Sequence, residues 1–306
     1  MALRLYFGSW ARAVSLLSDF ADVYDMHFDE VDGAHQLQDE WHEYVRFSRS
    51  EIGAICATIQ NSAELRLKSI ICETSPYLLL LNNSNFPLKN SCVDIDFSEQ
   101  RTLDATDLPR AVRSLTTFNL PDNYIQEYGK MRRLRNQVTH LGSYKSDVTP
   151  RRLIEVLGQQ YVALWPDGHW LFRRVQYDGN SAQNFFHDER YSSVQSNVMA
   201  ELPYTMQLME TAAFSKCFGV EKDKIKRFCP NCMSCRASKV DAHGHATAYL
   251  ACMNSLFCAM CERTFDVKST AKSCRNCGAG TVAEIIGTGY KAVTCVECGD
   301  SRLDWS

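Results

Sequence analysis

A chain of 306 residues is long for a single core, and its 45% hydrophobic and 23% charged composition is that of a globular protein, neither fibrous nor disordered. The net charge of −3 excludes bulk attraction to nucleic acid, so any such contact must come from local patches. The longest aliphatic run, Leu78 to Leu81, falls far short of the roughly 20 residues of a membrane span, and the first residues lack the apolar block of a signal peptide. The expectation is a cytoplasmic protein without membrane contact.

Up to Val220 the chain reads as helices. Ala11, Val14, Leu17, Phe20 and Val23 recur every third residue, predicting an amphipathic helix over about Trp10 to His27. A longer helical pattern over Leu37 to Leu81 carries Ile52, Ile55, Ile59, Leu65, Leu67, Ile70 and Ile71, with breaks expected at Gly53 and Pro76. Asn82 to Thr102 reads as a loop. A helix follows over Asp107 to Phe118, and Pro121-Asp122 opens another that runs to His140 and stops at Gly142. Thr149-Pro150 starts a helix that reaches Leu164.

His169 to Tyr177 alternates in polarity and is aromatic, which predicts a short hairpin or an irregular excursion. Trp165, Trp170 and Phe172 with Arg173 and Arg174 read as a packed aromatic turn, the alternative being a stacking surface for bases. The last helical stretch, Glu189 to Phe218, should break at Pro203. The charged segment Glu221 to Arg227 reads as a linker, giving domains of 1–221 and 222–306.

Of 14 cysteines, 10 fall between Cys229 and Cys298, and eight of these form C-x-x-C pairs: Cys229/Cys232, Cys258/Cys261, Cys274/Cys277 and Cys295/Cys298. Thiolates two residues apart can share one metal, and two such pairs supply the tetrahedron that zinc prefers. Four pairs in series argue for metal over redox dithiols. The expected cofactors are two structural Zn2+ ions, one for the first two pairs and one for the last two, as in zinc ribbons. The alternative is an interleaved arrangement of pairs one with three and two with four. Gly278 and Gly299 follow their pairs where a knuckle turn needs positive φ. Cys235, Cys252, His243 and His245 are surplus to two sites. Lys224, Lys226, Arg227, Arg236 and Lys239 around the first knuckle suggest a nucleic-acid surface.

The helix Pro121 to His140 sets Tyr124, Tyr128, Met131, Leu134, Val138 and Leu141 on one stripe, and its end is basic, with Lys130, Arg132, Arg133 and Arg135. Arg135 projects only about 50° from the stripe at about 100° per residue, so its guanidinium needs a partner, and Glu64 and Glu73 are both candidates.

Arg135-Asn136-Gln137-Val138-Thr139-His140 resembles the R-N-x-x-x-H motif of the HEPN family, all-helical domains that include RNA-cleaving toxins and defence nucleases. The resemblance extends over about Gln36 to Leu164, with Ala63 to Lys68 as an earlier core helix. It implies a mainly α, HEPN-like helical bundle followed by the small β-rich double zinc-ribbon module. The implied activity is RNA endonuclease action without a catalytic metal, in a toxin or antiphage effector that an antitoxin or other partner regulates. Arg135, Asn136 and His140 are the implied catalytic residues: His140 exchanges protons with the attacking ribose 2′-hydroxyl or the leaving oxygen, Arg135 stabilises charge on the phosphate, and Asn136 orients them.

Residues five apart on a helix diverge by about 140°, so one chain's Arg135 and His140 do not converge on one phosphate. The family meets this difficulty with a homodimer, which is therefore expected here. The family's Tyr two residues after the His is Gly142 in this chain, so that feature is not carried over. The competing reading is a binding protein without catalysis, whose ribbons contact nucleic acid or protein.

Overall fold

The computed structural model describes residues 1–24, 37–80, 102–141, 148–180, 194–234, 245–270, 272–287 and 290–302; the side chains of 138–141, 196, 285–287, 290–292 and 302 lie outside that set. These residues form a mainly helical chain with a small antiparallel sheet near its C-terminal end. They group into two compact units, Met1–Trp165 and Pro166–Ser306.

Among the described residues the first unit is a bundle of six α-helices. α1 (Ala2–Tyr24) buries Tyr6, Phe7, Trp10, Ala13, Val14, Leu17, Phe20 and Ala21, a stripe at spacings of three and four. It begins well before the stretch the threefold pattern marked, because two of its large core residues, Tyr6 and Phe7, precede it, and Val23 is 76% exposed. α2 (Gln38–Phe47) gives way at Ser48 to α3 (Arg49–Thr74). Gly53 does not break α3: it is buried inside it, where packing outweighs the roughly 1 kcal/mol a helical glycine costs relative to alanine. The expected stop before Pro76 does occur, with Ser75 extended, followed by a 3-10 turn at Pro76–Leu80.

α4 (Leu108–Leu115), α5 (Asp122–Leu141) and α6 (Pro150–Leu164) complete the bundle. Thr149 caps α6, its hydroxyl accepting from the Arg152 amide at 3.3 Å, and Pro150 takes the first turn. α3 is the central helix, packed against α1, α4, α5 and α6. A buried polar chain ties three helices together: Gln160 donates to the Ser62 hydroxyl, which donates to the Ala2 carbonyl. The loop read over 82–102 and the stop at Gly142 lie outside the described residues, apart from Thr102 itself.

In the second unit the segment expected as a hairpin is α7 (Trp170–Gly179), which buries Trp170, Leu171 and Arg174. Burial at i, i+1 and i+4 is helical, and the aromatic alternation is satisfied by packing on α8 (Val194–Leu208) and α9 (Thr211–Phe218). Trp170 stacks on Phe218, and Phe218 on Phe214, so this is a packed aromatic cluster. Pro203 lies inside α8; the chain breaks instead at Met209 and Glu210.

The charged segment that marked a boundary is not a free linker. Lys222–Lys224 forms a 3-10 turn, the Lys222 ammonium donates to the Met209 carbonyl, Ile225 is buried, and the Arg227 amide donates to the Ala248 carbonyl at 2.9 Å. It is bonded on both sides, and α7, α8 and α9 accordingly belong with the cysteine-rich segment.

Six strands follow α10 (Pro230–Ser234): β1 (Ala248–Cys252), β2 (Ser255–Cys258), β3 (Thr264–Ser269), β4 (Thr281–Gly287), β5 (Tyr290–Cys295) and β6 (Ser301–Arg302). Each pairs antiparallel with the next in sequence order. The first half of β3 pairs with β2 (Thr264 with Phe257) and its second half with β4 (Val267 with Ala283), so one strand passes from one hairpin to the next. Among the described residues no helix is long and apolar enough to cross a membrane.

Candidate metal centres and the basic helix

The four cysteine pairs come together as the sequential reading expected. Cys229, Cys232, Cys258 and Cys261 form one group and Cys274, Cys277, Cys295 and Cys298 a second, each with all sulfurs within 4.8 Å of one another. The interleaved alternative is not what the chain adopts. Sulfurs approach at 3.7 Å (Cys229 to Cys261) and 3.6 Å (Cys232 to Cys258, Cys274 to Cys298, Cys277 to Cys295). Four thiolates about 2.3 Å from a central metal stand about 3.8 Å apart along each tetrahedral edge, so either group can hold one ion.

Local backbone geometry sets these positions. In the second, third and fourth pairs, the amide of the residue after the second cysteine donates to the carbonyl of the first: Glu262 to Cys258 at 2.9 Å, Gly278 to Cys274 at 2.7 Å and Gly299 to Cys295 at 2.9 Å. All three have positive φ, 53°, 77° and 75°. The two glycines were legible in the sequence. Glu262 was not, because a glutamate in the left-handed region carries no compositional signal. The first pair differs: Cys229 precedes α10, Cys232 lies within it, and the Met233 amide returns to the Cys229 carbonyl along the helix.

The two centres are neighbours within one unit. The Phe228 amide donates to the Val296 carbonyl at 2.9 Å, and α10 packs on β4, β5 and β6. A methyl group on Gly299 would meet Phe228 at 2.6 Å and Met233 at 2.7 Å. The first group is the more enclosed, with three cysteines buried, whereas Cys277 of the second is exposed. Hydrogen bonds from Cys229 and Cys232 hold the Cys261 thiol below its ordinary pKa, and those from Cys229, Cys258 and Cys261 push Cys232 up. Of the surplus residues, Cys252 is exposed on β1 and outside both groups; Cys235 and His243 lie outside the described residues.

Two residues of the basic surface expected near the first knuckle are paired. Arg227 bonds Glu297 at 2.6 Å, and Lys224 bonds Glu221 at 3.0 Å. Lys226 lies among the described residues; Arg236 and Lys239 lie outside them.

α5 supplies the other candidate residues. Tyr124, Tyr128, Met131 and Leu134 are buried as the stripe requires, and burial pushes the Tyr128 phenol well above its ordinary pKa. Arg135 finds its carboxylate on α3: its Nη2 donates to Glu64 Oε1 at 2.8 Å, with the two side chains 24% and 18% exposed. Glu64 also accepts from Gln60 at 3.2 Å, whereas Glu73 pairs with Arg66. Arg135 Nε is buried, with no hydrogen-bond partner among the described residues. Asn136 is half-buried beside it. His140 lies in the last turn of α5, and its side chain is outside the described set.

The second unit has a buried cation of its own. Arg174, on α7, is held between Glu201 of α8, at 2.9 Å, and Asp178. No family model matches the chain, nor does any curated protein or solved structure.

Proposed function

We propose that this protein is an RNA endonuclease of the HEPN type, acting as a homodimer, with two structural zinc ions in its second unit. The observation that carries the reading is the Arg135–Glu64 pair. It fixes a guanidinium on α5, a helix that also carries Lys130, Arg132 and Arg133, one residue before Asn136 and five before His140. An oriented cation near a basic surface is what a transferring phosphate requires.

The ribose 2′-oxygen attacks the adjacent phosphorus and the 5′-oxygen leaves, giving a 2′,3′-cyclic phosphate and a 5′-hydroxyl. His140 takes the 2′ proton or returns one to the leaving oxygen, and Arg135 stabilises charge on the non-bridging oxygens. Asn136 orients the pair. DNA lacks the attacking hydroxyl and is spared. The roughly 140° between positions 135 and 140 makes a second copy of α5 part of the site.

Zinc is assigned from the all-sulfur donor sets and their tetrahedral spacing, and it holds the small sheet together rather than entering the reaction. A toxin or antiphage role, with a regulating antitoxin, follows from the family resemblance alone.

The test is incubation of the zinc-loaded chain with RNA under a chelator too weak to strip thiolate-held zinc. Fragments ending in 2′,3′-cyclic phosphate are expected, together with their loss in His140→Ala at unchanged zinc content. RNA that is shifted on a gel yet left whole would replace catalysis with the binding role.

A further inference from the structure

α5 and α6 enclose a half-open cavity of about 300 Å³ that the catalytic reading does not use. That is the lower end of the roughly 300–1,000 Å³ range of ligand pockets, room for one small molecule and not for a duplex. Its floor is apolar: Met131, Leu134, Leu153 and Val156 are all buried. Its rim carries Lys130, Arg133 and Arg152 with the carboxylate of Glu127, and Arg152 also pairs with Glu155 at 2.9 Å.

Glu127 accepts from Lys130 at 2.6 Å and from Arg152 at 2.7 Å, joining the two helices across the opening. Arg133 has no carboxylate partner among the described residues, so it remains available to an anion. Gln137 is exposed on the same rim and offers both a donor and an acceptor.

We propose that this cavity receives one nucleotide of an RNA chain, with the base against the apolar floor and the phosphate on Arg133 and Lys130. A flat heterocycle gains from burial on Met131 and the aliphatic floor, and its polar edge matches the Gln137 amide. A free anion would gain nothing from the floor, and an uncharged apolar ligand would leave Arg133 unused.

Position along α5 connects the cavity to the reaction. Residue 140 follows Arg133 by seven residues, which sets the two backbone positions within about 20° around the helix, and it follows Gln137 by about 4.5 Å along the axis. The nucleotide would thus lie on the helix face of position 140, next to the scissile bond. RNA as its source rests on the nuclease reading; the pocket's affinity for a nucleotide does not.

The experiment is calorimetric titration of the zinc-loaded full chain with adenosine 3′-monophosphate and uridine 3′-monophosphate, against inorganic phosphate and the free nucleosides. At least one nucleotide should bind about tenfold more tightly than either half alone. Arg133→Ala, an exposed change, should weaken it about tenfold by removing a charge-assisted hydrogen bond. Gln137→Ala should weaken it less, and Arg110→Ala, an exposed charge change on α4, should leave it unaltered.

Nucleotides that bind no better than phosphate, or binding indifferent to Arg133→Ala and Gln137→Ala, would overturn the proposal. If nucleotides bind but RNA stays whole, the pocket stands and the nuclease reading falls. If RNA is cut and Arg133→Ala leaves KM unchanged without any nucleotide binding, the reverse holds.

Discussion

Arg135 has a structural role beside the catalytic one proposed for it. Its Nη2 bonds Glu64 of α3, and its buried Nε has no partner among the described residues. Glu64→Ala would leave a part-buried guanidinium uncompensated, at an expected cost of about 1–3 kcal/mol, below that of a fully buried pair because both side chains retain exposure. Thermal melting of Glu64→Ala should therefore fall by several degrees, whereas Glu73→Ala, on the side chain that pairs with Arg66, should move it far less. Equal melting temperatures for the two variants would remove Glu64 from its positioning role. The sequence indicated that Arg135 needed a carboxylate, a phosphate or a partner chain, since its angle on the helix put it beside the apolar stripe. It could not choose between Glu64 and Glu73, because the rotation of α3 against α5 is a tertiary quantity.

At the scale of elements, the knuckles are the clearest case of local sequence determining local geometry. Gly278 and Gly299 share a positive φ, but their surroundings differ: a side chain at 278 meets nothing within 4 Å, whereas one at 299 runs into Phe228 and Met233. Gly278→Ala should cost only the backbone penalty of about 1–2 kcal/mol. Gly299→Ala adds overpacking of about 1–3 kcal/mol and should loosen the contact between the two centres. Zinc retention during dialysis should fall in the order wild type, Gly278→Ala, Gly299→Ala; the reverse order would show that the Phe228 contact is irrelevant.

Helices were legible wherever apolar residues held a clean period, as in α5 and α6. α7 was missed because aromatic residues at alternate positions imitate a strand, and only packing against α8 and α9 reveals the helical face. The α5–α6 cavity left no trace in the sequence, since two helices form it without a shared local pattern.

For the whole molecule, the division after Trp165 separates a bundle with a large core of its own from a unit whose sheet is small and rich in metal ligands. The sheet cannot bury enough surface to stand alone, so its stability should depend on the ions. Two zinc ions per chain are expected by elemental analysis. Stripping them under strong chelation, or by acid that protonates the thiolates, should abolish the β signal while the helical signal of the first unit persists. Loss of both together would show that the units do not fold separately.

The proposed reaction requires Arg135 and His140 to act across two copies of α5. Arg135→Ala and His140→Ala, each inactive alone, should regain activity when denatured together and refolded as a mixture. Half of the dimers are then mixed, each with one intact pair out of two, so RNA cleavage should return to about a quarter of the wild-type rate. No recovery, with mixed dimers demonstrably present and the wild type active, would contradict it.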